Sequence, residues 1–185
     1  TGKSGQNYKT LVDAGYDRFT APFWGGFDGW DIHYPDPLYN AGIGTSATEL
    51  NSYTYNTYRQ AIDSVADPES LDMNMLVSPG LTVDALTTHM IDVCENRADA
   101  MALIDLANVY IPASEAYNSS KKDRIGTTPN AAAEALRDRR LDSSYGCTFY
   151  PWVQTRDQTS GQLLWIPPSV AMMGVLASSQ AKSDV

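Results

Sequence analysis

Residues 71–106, LDMNMLVSPGLTVDALTTHMIDVCENRADAMALIDL, change their apolar period twice. Met73-Asn74-Met75-Leu76-Val77 is a short apolar run closed by Pro79-Gly80, the pattern of a strand that ends in a tight turn. Val83, Leu86, Met90, Val93 and Cys94 then recur at helical spacing and share one face, while Asp84, Thr88, Asp92 and Glu95 fall on others. Thr82 stands where an N-cap belongs, and Asp84 in the first turn suits the positive end of the helix. After Arg97-Ala98-Asp99, the run Ala100-Met101-Ala102-Leu103-Ile104 is apolar without alternation, as a strand covered on both faces requires. Strand, helix and strand in this order predict a βαβ unit with a right-handed crossover. The expected fold class is therefore α/β: a mixed, partly parallel sheet flanked by helices.

On either side of this unit the pattern is plainer. Residues 48–65 carry Leu50, Tyr53, Tyr58, Ala61, Ile62 and Val65 at helix-like intervals, stopped by Asp67-Pro68. Residues 19–30, FTAPFWGGFDGW, read as an aromatic strand entering a glycine turn. Residues 1–18 form a polar lead-in, and residues 112–127 a polar loop. Thr128-Pro129 opens a helix rich in alanine, with Arg137, Arg139 and Arg140 at its negative end. Residues 145–153, YGCTFYPWV, predict one β-strand, placed at an edge or bulged because Pro151 lacks a ladder donor. Residues 157–161 turn the chain, and residues 162–166 return it as the second arm of a hairpin. Ser169 then stands as the cap of a helix over residues 170–177, apolar nearly all round and expected to be buried.

Composition narrows the reading. Of 185 residues, 43% are hydrophobic and 19% charged, a globular balance, and eleven Tyr with four Trp supply large packing surfaces. A net charge of -9 argues against nucleic acid or an anionic membrane as partner, since both need clustered Lys and Arg. Cys94 and Cys147 form neither a disulfide framework nor a metal set, and are expected as small buried hydrophobes in a reducing compartment. The longest apolar run, residues 170–177, is far short of a membrane span. No signal peptide opens the chain, which begins without Met, so a piece of a longer protein is expected.

Candidate chemistry is sparse. Gly2-Lys3-Ser4 lacks the earlier glycine and preceding strand of a phosphate loop. Asp28, Asp31, His33 and Asp36 match no ligand spacing, and the Asn118-Ser119-Ser120 sequon matters only in a secreted protein. His89 adjoins the apolar stripe and reads as a satisfied boundary histidine, with nothing pairing it to His33. Open α/β sheets bind ligands beyond the carboxyl ends of their strands, here Ser78-Pro79-Gly80 and Asp105-Leu106, where the sequence gathers no acid, base and nucleophile.

Four segments, in this order, resemble the sheath proteins of contractile phage tails. They are FWGGFDG (residues 23–29), LDMNMLVSPGL (71–81), ENRADAMALIDL (95–106) and SSYGCTFYPWVQTRDQTSGQLLWIPPSVAMMGVLAS (143–178). The family shows a glycine-rich GG-x-DG turn, a strand and turn ending in P-G, an aromatic Y-P-W-V strand, a hairpin and a P-P-S helix start in the same succession. The resemblance implies a structural subunit that polymerises around a tail tube and contracts to drive it through the host envelope. The implied partners are other sheath subunits, the tail tube protein, and baseplate and tail terminator proteins. It implies no catalytic residue, cofactor or metal, and a place in the virion after assembly in the host cytoplasm; a bacterial contractile device would look much the same. On this reading residues 19–180 hold the α/β core, and the chain is a single fragment of a longer sheath protein, monomeric by itself. The alternative is a nucleotide-binding or hydrolytic α/β domain with its site in the loops after Val77 and Ile104.

Overall fold

The computed structural model describes residues 12–15, 32, 36–43, 51–108 and 129–183. In chain order the elements are α1 (Asn40–Ile43), α2 (Tyr53–Ser64), β1 (Met75–Val77), α3 (Asp84–Arg97) and β2 (Met101–Ile104). There follow α4 (Pro129–Asp138), β3 (Gly146–Thr148), β4 (Val153–Arg156), β5 (Leu163–Ile166) and α5 (Pro168–Ser183). β1, β2 and β3 make a parallel sheet in that order, with Leu76 opposite Ala102 and Leu103 opposite Cys147. β4 and β5 make a separate antiparallel hairpin, with Val153 opposite Ile166. The chain is α/β, as its periodicity predicts, and β1–α3–β2 is the expected parallel unit.

The core lies between this sheet and α3. Leu86, Met90, Val93 and Cys94 of the expected stripe are buried, and Thr87 and Ile91 join them. The wider apolar arc follows from the position of α3, which touches β2 on one side and α2 on the other. Ala102 and Ile104 belong to the cluster with α3, whereas Leu103, 1% exposed, lies outside it, because side chains of a strand alternate between faces. β2 is thus covered on both sides.

Five expectations are corrected. Thr82 is not the N-cap of α3; the helix starts one residue later than the pattern predicts, with Val83 at that position and no side-chain oxygen there to cap it, and Thr82 N–H is held by Asn40 Oδ1 at 2.8 Å. On α2 the inward face is Tyr55, Tyr58 and Ile62, and Tyr53 and Ala61 are exposed, since the helix begins at the Ser52 cap and is phased toward α3. Residues 145–153 are not one hairpin arm. The chain leaves the parallel sheet after Thr148, passes the cis Tyr150–Pro151 bond, and starts β4 at Val153. A proline in the run removes a ladder donor there, and the strand divides into two that serve different sheets. Ser169 does not cap the last helix, which already starts at Pro168. Nor is that helix buried: it runs on to Ser183, with Val170 41% and Val175 55% exposed. The expectations for residues 1–11, 19–30, 48–50 and 112–128, for Asp28, Asp31 and His33, and for the sequon lie outside the described residues.

Candidate functional site

The carboxyl ends of β1 and β2 converge on one side chain. Ser78-Pro79-Gly80-Leu81 forms a turn closed by Leu81 N–H to Ser78 O at 3.1 Å, and Gly80 takes φ +80°, a left-handed conformation that glycine adopts without strain. This aims Gly80 N–H at Asp105 Oδ2, 2.9 Å away. Asp105 also accepts from Ser169 N–H at 3.1 Å and Ser169 Oγ–H at 2.6 Å, so it supplies from a distance the cap that α5 lacks locally. The carboxylate is 1% exposed. A buried charge is tolerated when donors surround it, and these three donors join the β1 turn, the end of β2 and the start of α5. Beside it, Trp152 Nε1–H donates to Leu106 O at 2.7 Å.

At the opposite end of α3, Arg97 has no exposed side-chain surface. Its Nη1 and Nη2 donate to Val65 O and Leu71 O at 2.7 and 2.8 Å, and its Nε and Nη2 hold Asp99 in a two-point pair. The guanidinium thereby ties the end of α2 and the approach to β1 onto the last turn of α3. Hydrogen bonding from Arg97 holds the Asp99 carboxyl below its ordinary range.

Beyond the same carboxyl ends, between α1, the start of α3 and the inner face of α4, lies a cleft of about 400 Å³. Leu106 and Ala107 form its floor, and Ala132, Ala135 and Leu136 one wall. Arg139, just past α4, enters it with a side chain only 8% exposed. Its Nη2 donates to Asp84 O, Thr87 Oγ1 and Thr88 Oγ1 at 3.1, 2.9 and 2.7 Å. Nε and Nη1 are buried without a hydrogen-bond acceptor, although Nη1 stands 3.5 Å from the Asp84 carboxylate. Burial pulls the guanidinium below its ordinary pKa, and Asp84 opposes that pull. The uncapped first turn of α3 opens on the same space, and Asp36, bound by Asn40 Nδ2 at 2.7 Å, stands at its border. The arrangement pins the Arg139 guanidinium against the first turn of α3, beside a cleft with apolar walls.

The sequence pointed to this end of the sheet and not to these side chains. Asp105 and Arg97 stand out only as charges beside buried runs, and Arg139 only as a helix-terminal cation. His89 sits at the α2–α3 boundary as expected and has a partner, Asp63 Oδ1 at 2.6 Å from Nε2. Burial raises the thiol pKa of Cys94 and of Cys147, in keeping with packing roles; Cys94 is fully buried and Cys147 half-buried. Among the described residues no group of His, Cys, Asp and Glu is arranged to hold a metal ion, and no helix is long and apolar enough to cross a membrane. No protein-family model matches the chain, and no curated protein matches it significantly.

Proposed function

We propose that the chain is a structural subunit of a contractile tail sheath, which polymerises around a tail tube and contracts to drive it through the host envelope. The resemblance of the four segments to sheath proteins is the basis of this reading. The observation that carries it furthest is the Asp105 junction. Three of the four resembling segments supply its parts: Gly80 from residues 71–81, Asp105 from residues 95–106 and Ser169 from residues 143–178. Three of the four resembling segments are therefore joined at one side chain, which supports this reading. The exposed apolar positions of α5 add support, since a subunit of a lattice keeps such surface for its neighbours. Its partners on this reading are further sheath subunits, the tube protein, and the baseplate and terminator proteins.

The test is electron microscopy of the product of the full reading frame that encodes this chain. Long hollow cylinders are expected, and dispersed particles at high concentration would count against the sheath. A second reading, a nucleotide-binding or hydrolytic domain, draws on the cleft beyond Val77 and Ile104. A rise of several degrees in the thermal midpoint with nucleotide and divalent metal would favour it.

A further inference from the structure

We infer that copies of this chain associate head to tail, the acidic turn before β1 of one copy docking into a cleft over β3 of the next. The receiving cleft, about 590 Å³, lies between α3, α4 and β3. Ile91, Ile104, Leu136 and Leu141 give it an apolar lining, and Arg137 and Arg140 line it as well. Both arginines are exposed, and among the described residues neither is paired with a carboxylate. Glu134, Asp138 and Asp142, the acids of the same stretch, do not line the cleft. It therefore presents two positive charges beside apolar surface.

The occupant is indicated by the opposite flank of the sheet. Residues 66–72 are exposed without a break, and there Asp67, Glu69 and Asp72 accompany Leu71, which is 43% exposed. A large apolar side chain among carboxylates matches an apolar cleft edged by arginines. The turn is also preformed. Asp67 Oδ1 accepts from Glu69 N–H and Asp67 O from Ser70 Oγ–H, each at 3.0 Å, and the buried Arg97 holds Val65 O and Leu71 O. Little order has to be created on binding. The turn leads into β1 and the cleft is built on β3, the two outer strands of the sheet, so the turn does not reach the cleft of its own copy. Complementary patches at separate places make a heterologous contact, which continues from copy to copy and does not close at two. This inference goes beyond the sheath reading and does not rest on it.

The contact is small, so its dissociation constant is expected on the order of 0.1–1 mM, and the chain stays monomeric in dilute solution. The test is sedimentation equilibrium of the whole chain at concentrations up to about 1 mM. The mean mass should rise with concentration past that of a dimer, and rise less in high salt. Glu69→Lys with Asp72→Lys reverses the turn, and Arg137→Glu with Arg140→Glu reverses the cleft; either pair should weaken association about tenfold or more. Each single change shifts the net charge by two, so the first pair takes it from -9 to -5 and the second to -13. A general charge effect would thus move the two variants in opposite directions. An equimolar mixture of them should associate again, because each carries the charges that the other's faces need. Leu71→Ser should weaken association about tenfold while the thermal midpoint stays where it was. A mass that remains that of the monomer, a rise that stops at the dimer, opposite effects of the two reversals, or a mixture no more associated than its components would each overturn the inference.

Discussion

At the residue scale the structure depends on two charges placed where sequence alone shows only punctuation. Asp105 follows a buried strand and reads as the polar residue that ends it; its partners lie 25 and 64 positions away, beyond the reach of any local pattern. Asp105→Asn keeps the shape but turns an acceptor into an N–H donor facing donors. It should lower stability by about 3 kcal/mol in urea unfolding, and a loss below about 1 kcal/mol would mean the junction is not structural. Asp99 gives a pH prediction. Its folded pKa lies below the ordinary 3.8, so its contribution is complete above that value and is lost as pH falls through the lowered one. In Asp99→Asn the thermal midpoint should decline less steeply on acidification than in the parent, and parallel acid limbs would deny Arg97–Asp99 that role.

At the element scale, periodicity made α3 and β2 legible because both are buried over most of their length, and burial is what writes apolar spacing into a sequence. Elements at the margin were less legible. β3 and β4 share one aromatic run, and Pro151 marks an interruption in it without showing that the two halves serve different sheets. Two backbone details allow tests. Ala98, exposed and just past α3, takes φ 61°, a conformation that costs a residue with a Cβ about 1–2 kcal/mol. Ala98→Gly should therefore raise stability by about 0.5–1 kcal/mol, net of the entropy glycine adds to the unfolded chain. Gly146 is the reverse case. A Cβ there would lie 2.9 Å from Cγ1 and Cδ1 of the buried Ile91, where β3 passes under α3. Gly146→Ala should cost about 1–3 kcal/mol by overpacking, measurable as a lower denaturation midpoint with an unchanged slope.

At the scale of the whole molecule, α5 is where composition and surroundings disagree. A segment apolar nearly all round predicts burial, and the fold leaves Val170 and Val175 substantially exposed. Sequence records that a surface is meant to be covered, but not whether the cover comes from the same chain or from a neighbour. On the sheath reading the cover is a neighbouring subunit, and the two cases separate cleanly. Val175→Glu alters a side chain already 55% exposed, so the isolated chain should keep its stability to within about 0.5 kcal/mol. In the lattice the same charge would be buried without a partner once per subunit, and a penalty repeated along a sleeve does not have to be large to prevent growth. The full reading-frame product carrying Val175→Glu should therefore stay dispersed under conditions where the parent forms cylinders. Cylinders of normal length from the variant would place the subunit contacts elsewhere, and a large loss of stability in the isolated chain would show that α5 is packed within its own fold.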